Sequence, residues 1–170
     1  KDPSDHDYEL EAEFDSQNTV DTLRMALEKV TPAVITVEAN RSLSESLQEH
    51  RIDIVFNIAE GSRKRAREAQ VPAVCDLLDI EHTGSDATCL AITLDKAITK
   101  RLLKNDGILT PNFRLYHGSS IMSDSGLRFP VMVKPNSEGT SKGIGDKSVV
   151  SNQDELQEAV LTLWKKFQTP

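Results

Sequence analysis

Apolar residues recur at Val20, Leu23, Leu27 and Val30, a helical stripe, just after Ser16, whose hydroxyl can cap a helix. Pro32 follows the end of that stripe. Residues 33–37 (AVITV) then read as a β-branched buried strand. Leu43 and Leu47 mark a short helix. Residues 52–58 (IDIVFNI) read as a second buried strand running into Glu60 and Gly61. Pro72 suits the first turn of a helix carrying Val74, Leu77 and Leu78. Strands alternating with helices predict parallel βαβ units.

His82, Thr83, Gly84, Ser85 and Asp86 form a turn-rich stretch and a boundary region, and beyond it the pattern changes. Asp95 begins a helix with Ile98 and Leu102 on one face, closed by Gly107 and followed by Pro111. Segments 113–116, 129–134 and 148–150 read as strands of a small sheet. Residues 117–128 are an intervening loop. Ser151 and Asp154 resemble a helix start, with Leu156, Val160, Leu163 and Phe167 on the apolar face.

The chemistry concentrates at the end of strand 129–134. Lys134 stands at the strand's end and is followed by Pro135, Asn136, Ser137, Glu138, Gly139, Thr140, Ser141, Lys142 and Gly143. Glycine permits positive φ and close backbone approach, so such a loop can wrap its N–H groups and hydroxyls around phosphate oxygens. A lysine beside it supplies a point charge. Lys134 alone would be an ordinary strand-end lysine; the loop after it makes it a candidate. With little to bury, that loop is expected to be a mobile lid. Lys96 falls in the first turn of its helix, where the macrodipole disfavours a cation, and this is a second pointer to an anionic ligand. Lys100, Arg101 and Lys104 read as the wet face of the same helix. Glu60 and Gly61 lie at a strand's carboxyl end, where open α/β sheets bind ligands. Arg63, Lys64, Arg65 and Arg67 read as a solvated loop, with neutralisation of a phosphate or carboxylate as the alternative. Trp164 and Phe167 read as core rather than a base-stacking platform.

Composition narrows the classes. The 20 Lys+Arg against 27 Asp+Glu leave a net charge of −7, which argues against a general nucleic-acid binder. No apolar run is long enough to span a bilayer, and the start lacks the pattern of a signal peptide. Cys75 and Cys89 have no C-x-x-C spacing and read as core residues in a reducing, cytoplasmic compartment. His6, His50, His82 and His117 have no ligand spacing, so no metal site is expected in the chain. There is no G-x-x-x-x-G-K-S/T phosphate loop, no G-x-S-x-G, and no glycine fingerprint of a dinucleotide-binding Rossmann unit. The acidic start at Lys1 and the stop at Pro170 read as the ends of a piece of a longer protein.

Six segments, in order, resemble the D-alanine–D-alanine ligase-like group of the ATP-grasp superfamily: DIVFNIAEG at 53–61, REAQVPA at 67–73, HTGSD at 82–86, TLDK at 93–96, GILTP at 107–111 and FPVMVKPNSEGTS at 129–141. Their collinearity is more specific than any one of them. The resemblance implies an α/β fold: a parallel-sheet, Rossmann-like substrate-side domain at 1–90, then a small α+β central ATP-grasp subdomain at 91–170. It implies that Lys96 and Lys134 hold nucleotide phosphates and that Glu138, Gly139, Thr140, Ser141, Lys142 and Gly143 close over them. Thr140 and Ser141 stand where these ligases usually carry two serines. The implied chemistry is ATP-dependent activation of a carboxylate as an acyl phosphate, then attack by an amine, with Mg²⁺ bridging the phosphates and water excluded. The substrates would be small amino-acid or dipeptide-like molecules.

Departures bear on the substrate. Such ligases usually have His-Gly where this chain has Glu60 and Gly61, and an acidic, glycine-rich loop where this chain has Arg63, Lys64 and Arg65. Glu13 is the nearest match to the substrate-side glutamate of the first helix. The resemblance also implies that the metal ligands and catalytic residues lie in a C-terminal half beyond residue 170, so that these 170 residues alone release no phosphate. It places the fold's first strand before Lys1, leaving an edge that another copy, as in a homodimer, or a partner would cover. The alternative reading is a non-catalytic ATP-grasp-like module that binds nucleotide or a partner.

Overall fold

The computed structural model describes residues 15–61, 65–117 and 126–167. The chain divides into two compact units, Lys1–Ala91 and Ile92–Pro170. The architecture is mixed α/β, with one small parallel and one small antiparallel sheet.

In the first unit, helix α1 spans Gln17–Leu27, and Ser16 Oγ accepts a hydrogen bond from the Thr19 N–H at 3.2 Å. Its stripe ends before the sequence pattern does, because Val30 lies beyond the helix and is 81% exposed. Helix α2 is Leu43–His50, and its Leu43 and Leu47 pack with Val71 and Cys75 of helix α3, Gln70–Leu77. A turn of 3₁₀ helix, Arg67–Ala69, leads into α3, with Pro72 buried in its first turn. Leu77, expected on the apolar face of α3, points outward.

The parallel pair is β1, Ile54–Val55, with β2, Glu81–His82. One backbone and one side-chain contact prolong it: Thr83 N–H donates to the Val55 carbonyl at 2.9 Å, and Asn57 N–H donates to Thr83 Oγ1 at 3.0 Å. Segment 52–58 is buried on one side only, since Ile54, Phe56 and Ile58 are exposed. Residues 33–37 belong to no helix and join no ladder among the described residues, although Val37 packs on the core. β-Branched composition suits the pleated conformation; only a neighbouring strand makes it a strand. Helix α4, Ala87–Leu94, carries the chain from the first unit into the second. Cys75 is buried as expected, whereas Cys89 is exposed on α4.

In the second unit, helix α5 is Lys96–Asn105. Its end is a Schellman motif: Gly107, at φ 74°, donates to Lys104, and Ile108 donates to Leu103. The expected apolar face shifts, since Ala97 is buried and Leu102 is 46% exposed. Strands β3, Val131–Met132, and β4, Val149–Val150, pair antiparallel. Residues 113–116 likewise join no ladder among the described residues, although Tyr116 packs on the core. Helix α6, Gln153–Phe167, lays Leu156 and Val160 on Val150 to close that core. Its cap is Asn152, not Ser151: Asn152 Oδ1 accepts from Glu155 N–H at 3.0 Å, and the Glu155 carboxylate reaches back to Ser151 N–H at 2.7 Å. Among the described residues, no helix is long and apolar enough to cross a membrane.

Candidate functional site

The first turn of α5 is built by two residues. Asp95, 1% exposed, accepts from the Ile98 N–H at 2.9 Å, which fixes where the helix begins. Asn136, 6% exposed and just beyond β3, satisfies the two preceding donors. Its backbone carbonyl accepts from Lys96 N–H at 3.0 Å, and its side-chain Oδ1 accepts from Ala97 N–H at 2.9 Å. The N–H groups that a helix start normally leaves unpartnered are therefore taken up here by side chain and loop. The Thr99 hydroxyl also reaches the carbonyls of Ile92 and Asp95, at 2.7 and 2.9 Å.

This clamp brings Lys96 and Lys134 to one place. Both line a cleft of about 840 Å³ in the second unit. Lys96 Nζ donates to the Glu138 carbonyl, tying the helix to the start of the glycine loop. Lys100, read from sequence as solvated, lines the same cleft one turn after Lys96. Its Nζ donates to Thr110 Oγ1 at 2.8 Å and sits 5.7 Å from the centre of the Phe113 ring. Burial, and then the nearby Lys134 charge, lower the Lys100 pKa below the ordinary lysine value. At the far wall, Trp164 and Phe167 face the cleft and are half-buried, rather than core.

The loop is anchored at its base. Pro135, Asn136 and Ser137 are buried, and Thr140 and Ser141 are exposed. Both exposed residues take left-handed φ, 46° and 60°, and Gly143 takes 70°. A Cβ at Gly143 would stand 2.7 Å from Phe167 Cε2 and 2.9 Å from Pro135 Cγ, so the loop's far end is packed on α6. Ser148 Oγ accepts from Gly145 N–H at 2.9 Å and pins the exit. Between these anchors the chain turns through the Lys142 N–H donating to the Gly139 carbonyl at 2.9 Å and the Ile144 N–H donating to the Ser141 carbonyl at 3.0 Å. The buried residues at the base and the aromatic contact at Gly143 fix the loop's two ends.

In the first unit, Glu60 and Gly61 follow the β1–β2 carboxyl ends, and Asn57 Oδ1 accepts from Ala59 N–H at 3.0 Å to shape the approach. Gly61 has φ 71°, and a Cβ there would lie 2.0 Å from the Arg67 carbonyl oxygen. Arg67 is buried at 6% exposure, so the solvated reading of the basic cluster fails for it. Its backbone closes against Gly61, which draws it in. Glu13, Arg63 and Lys64 lie outside the described residues.

Sequence reasoning missed Asn136 and Lys100 as site residues. The four-residue spacing of Lys96 and Lys100, which puts both on one helix face, was the available signal for the second. Asn136 carried none, because its role is to cap a helix forty residues earlier. For metal, the described residues contain no group of three His, Cys, Asp or Glu side chains that could hold an ion.

No protein-family model matches the chain. Among curated proteins, the D-alanine–D-alanine ligase of Aquifex aeolicus is 32% identical over 152 residues, 89% of this chain and 50% of the ligase. That of Moorella thermoacetica is 32% identical over 146 residues, 79% of this chain and 45% of the ligase. An uncharacterised protein of Sinorhizobium fredii is 37% identical over 114 residues, 67% of this chain and 33% of that protein. The chain thus spans about half the length of the ligases it matches. With that similarity running over most of the chain, these relatives support its recognition as a D-alanine–D-alanine ligase-like ATP-grasp protein.

Proposed function

We propose that this chain carries the substrate-side domain and the phosphate-binding part of an ATP-dependent carboxylate–amine ligase. The first unit would be the substrate-side domain, and the second the central ATP-grasp subdomain. The observation that carries the reading is the convergence of Lys96 and Lys134, thirty-eight positions apart in sequence, on one cleft beside the glycine loop. Lys134 has no carboxylate partner among the described residues, so its charge is available to an anion. ATP fits this cationic wall, with the two ammonium groups on its phosphates and the loop tip excluding water from them. Its role would be to convert a carboxylate to an acyl phosphate, which an amine then attacks. Glu60 and Gly61 are the substrate-side candidates, for an amino acid or dipeptide-like molecule. Among the described residues, no three His, Cys, Asp or Glu side chains come together to hold a metal ion.

The test is Lys134→Ala in the whole protein, with ATP affinity and phosphate release in the presence of D-alanine as readouts. Losing one charge-assisted phosphate contact costs about 1.5–3 kcal/mol, so ATP affinity falls about tenfold or more. Lys142→Ala has a smaller effect, because that side chain stands on the loop tip. Wild-type affinity in Lys134→Ala would remove the site. ATP binding without phosphate release for any amino acid would favour a binding module over a ligase.

A further inference from the structure

We propose that Lys100 is a third phosphate-binding cation of the cleft, so that Lys96, Lys100 and Lys134 together cradle a polyphosphate chain. The proposal rests on the ATP-binding reading and adds a residue to it.

Three observations carry it. The first is placement: Lys96 and Lys100 are four apart on α5, on one face, and both line the cleft that Lys134 lines from the end of β3. The second is local holding. The Lys100 ammonium is located by the Thr110 hydroxyl at 2.8 Å and the Phe113 ring at 5.7 Å, two weak and neutral partners. A neutral hydroxyl is exchanged for a phosphate oxygen at a net gain, because hydrogen bonds between charged groups are roughly twice as strong. The third is uncompensated charge. Among the described residues neither Lys100 nor Lys134 has a carboxylate in ion-pair contact. Their mutual repulsion, joined to burial, also lowers the proton affinity of Lys100. Two neighbouring ammonium groups without a counter-charge are an arrangement that costs free energy until an anion sits between them, and a polyphosphate supplies several charges at once. Arg101, 5.9 Å from the centre of the same ring, is not among the cleft's residues and serves as the internal control.

The probe is inorganic tripolyphosphate, which has the phosphates and lacks the nucleoside, titrated calorimetrically alongside ATP. Lys100→Met keeps an unbranched apolar stem over Phe113 and removes only the charge; Lys100→Arg keeps the charge. The expected result is a loss of about tenfold for both ligands in Lys100→Met, near wild-type affinity in Lys100→Arg, and no loss in Arg101→Met. Thermal melts of each variant report folding independently. Wild-type tripolyphosphate affinity in a folded Lys100→Met, with affinity lost in Lys134→Met, overturns the role of Lys100 and leaves the site standing. Unchanged affinity in both variants, or no binding by the wild type, overturns the ATP-binding reading and this proposal with it. A loss in Lys100→Met that Lys100→Arg fails to restore assigns Lys100 a packing role and also overturns the proposal.

Discussion

Replacing Asn136 by alanine removes the side-chain half of the clamp that sets the α5 start, together with the weaker bond from Asn136 Nδ2 to Ser137 Oγ at 3.3 Å. The backbone bond from Lys96 N–H to the residue-136 carbonyl survives the change. The bond from Ala97 N–H to Asn136 Oδ1, 2.9 Å long, does not. Ala97 is 2% exposed, so water has little access to the abandoned N–H. A buried donor left without an acceptor costs about 1–3 kcal/mol. In a unit of roughly eighty residues, each kcal/mol moves Tm by roughly 4–8 °C. Asn136→Ala should therefore lower the melting temperature of the second unit by about 5–20 °C, read by calorimetry. ATP affinity should fall as well, because Lys96 rides on the same turn. A variant within about 0.5 kcal/mol of wild type would show that α5 starts where it does without Asn136, and the account of how Lys96 is placed would be wrong.

Gly143→Ala forces both a left-handed φ and a 2.7 Å approach to Phe167, so a loss of about 1–3 kcal/mol is expected in thermal melts, and Phe167→Leu should restore only part of it. Gly61→Ala should destabilise the first unit more than Gly84→Ala: the added Cβ meets backbone at 2.0 Å in the first case and nothing within 4 Å in the second, leaving only the φ strain. Equal losses in denaturant titration would refute the packing of Gly61 on Arg67. A thiol reagent at neutral pH should label Cys89 quickly and Cys75 only on unfolding, as counted by mass spectrometry. Burial, and then the Asp76 charge, raise the Cys75 pKa, so the folded state keeps a proton that the unfolded state releases. The first unit should therefore lose stability as pH rises past about 9, with a shallower loss in Cys75→Ala.

What was legible in the sequence was whatever depends on near neighbours along the chain. Asp95 as the start of α5, Gly107 as its stop, and Ser16 as the cap of α1 are local events, set by a side chain within reach of N–H groups three residues on. The phosphate-type loop was legible because its glycines and hydroxyls are consecutive. Ladders were not. Residues 33–37 and 113–116 have strand composition, yet their pairing depends on segments far away in sequence. Lys100 was misread because a lysine on a helix looks solvated until the opposite wall of the cleft is known. Asn136 was invisible for the same reason: its partner is Ala97, thirty-nine positions earlier.

The far wall of the cleft has a use that follows from composition. Trp164 is the chain's single tryptophan, and it lies one helical turn before Phe167, against which Gly143 is packed. Indole emission from these 170 residues therefore originates wholly in the second unit, at the cleft lining. A ligand entering the cleft, or a shift of the loop that lifts Gly143 from Phe167, changes the solvent around that one fluorophore. Titrations can then be followed by intrinsic emission with no attached dye, and the first unit is spectrally silent at tryptophan wavelengths. Events there would need a tryptophan introduced on purpose.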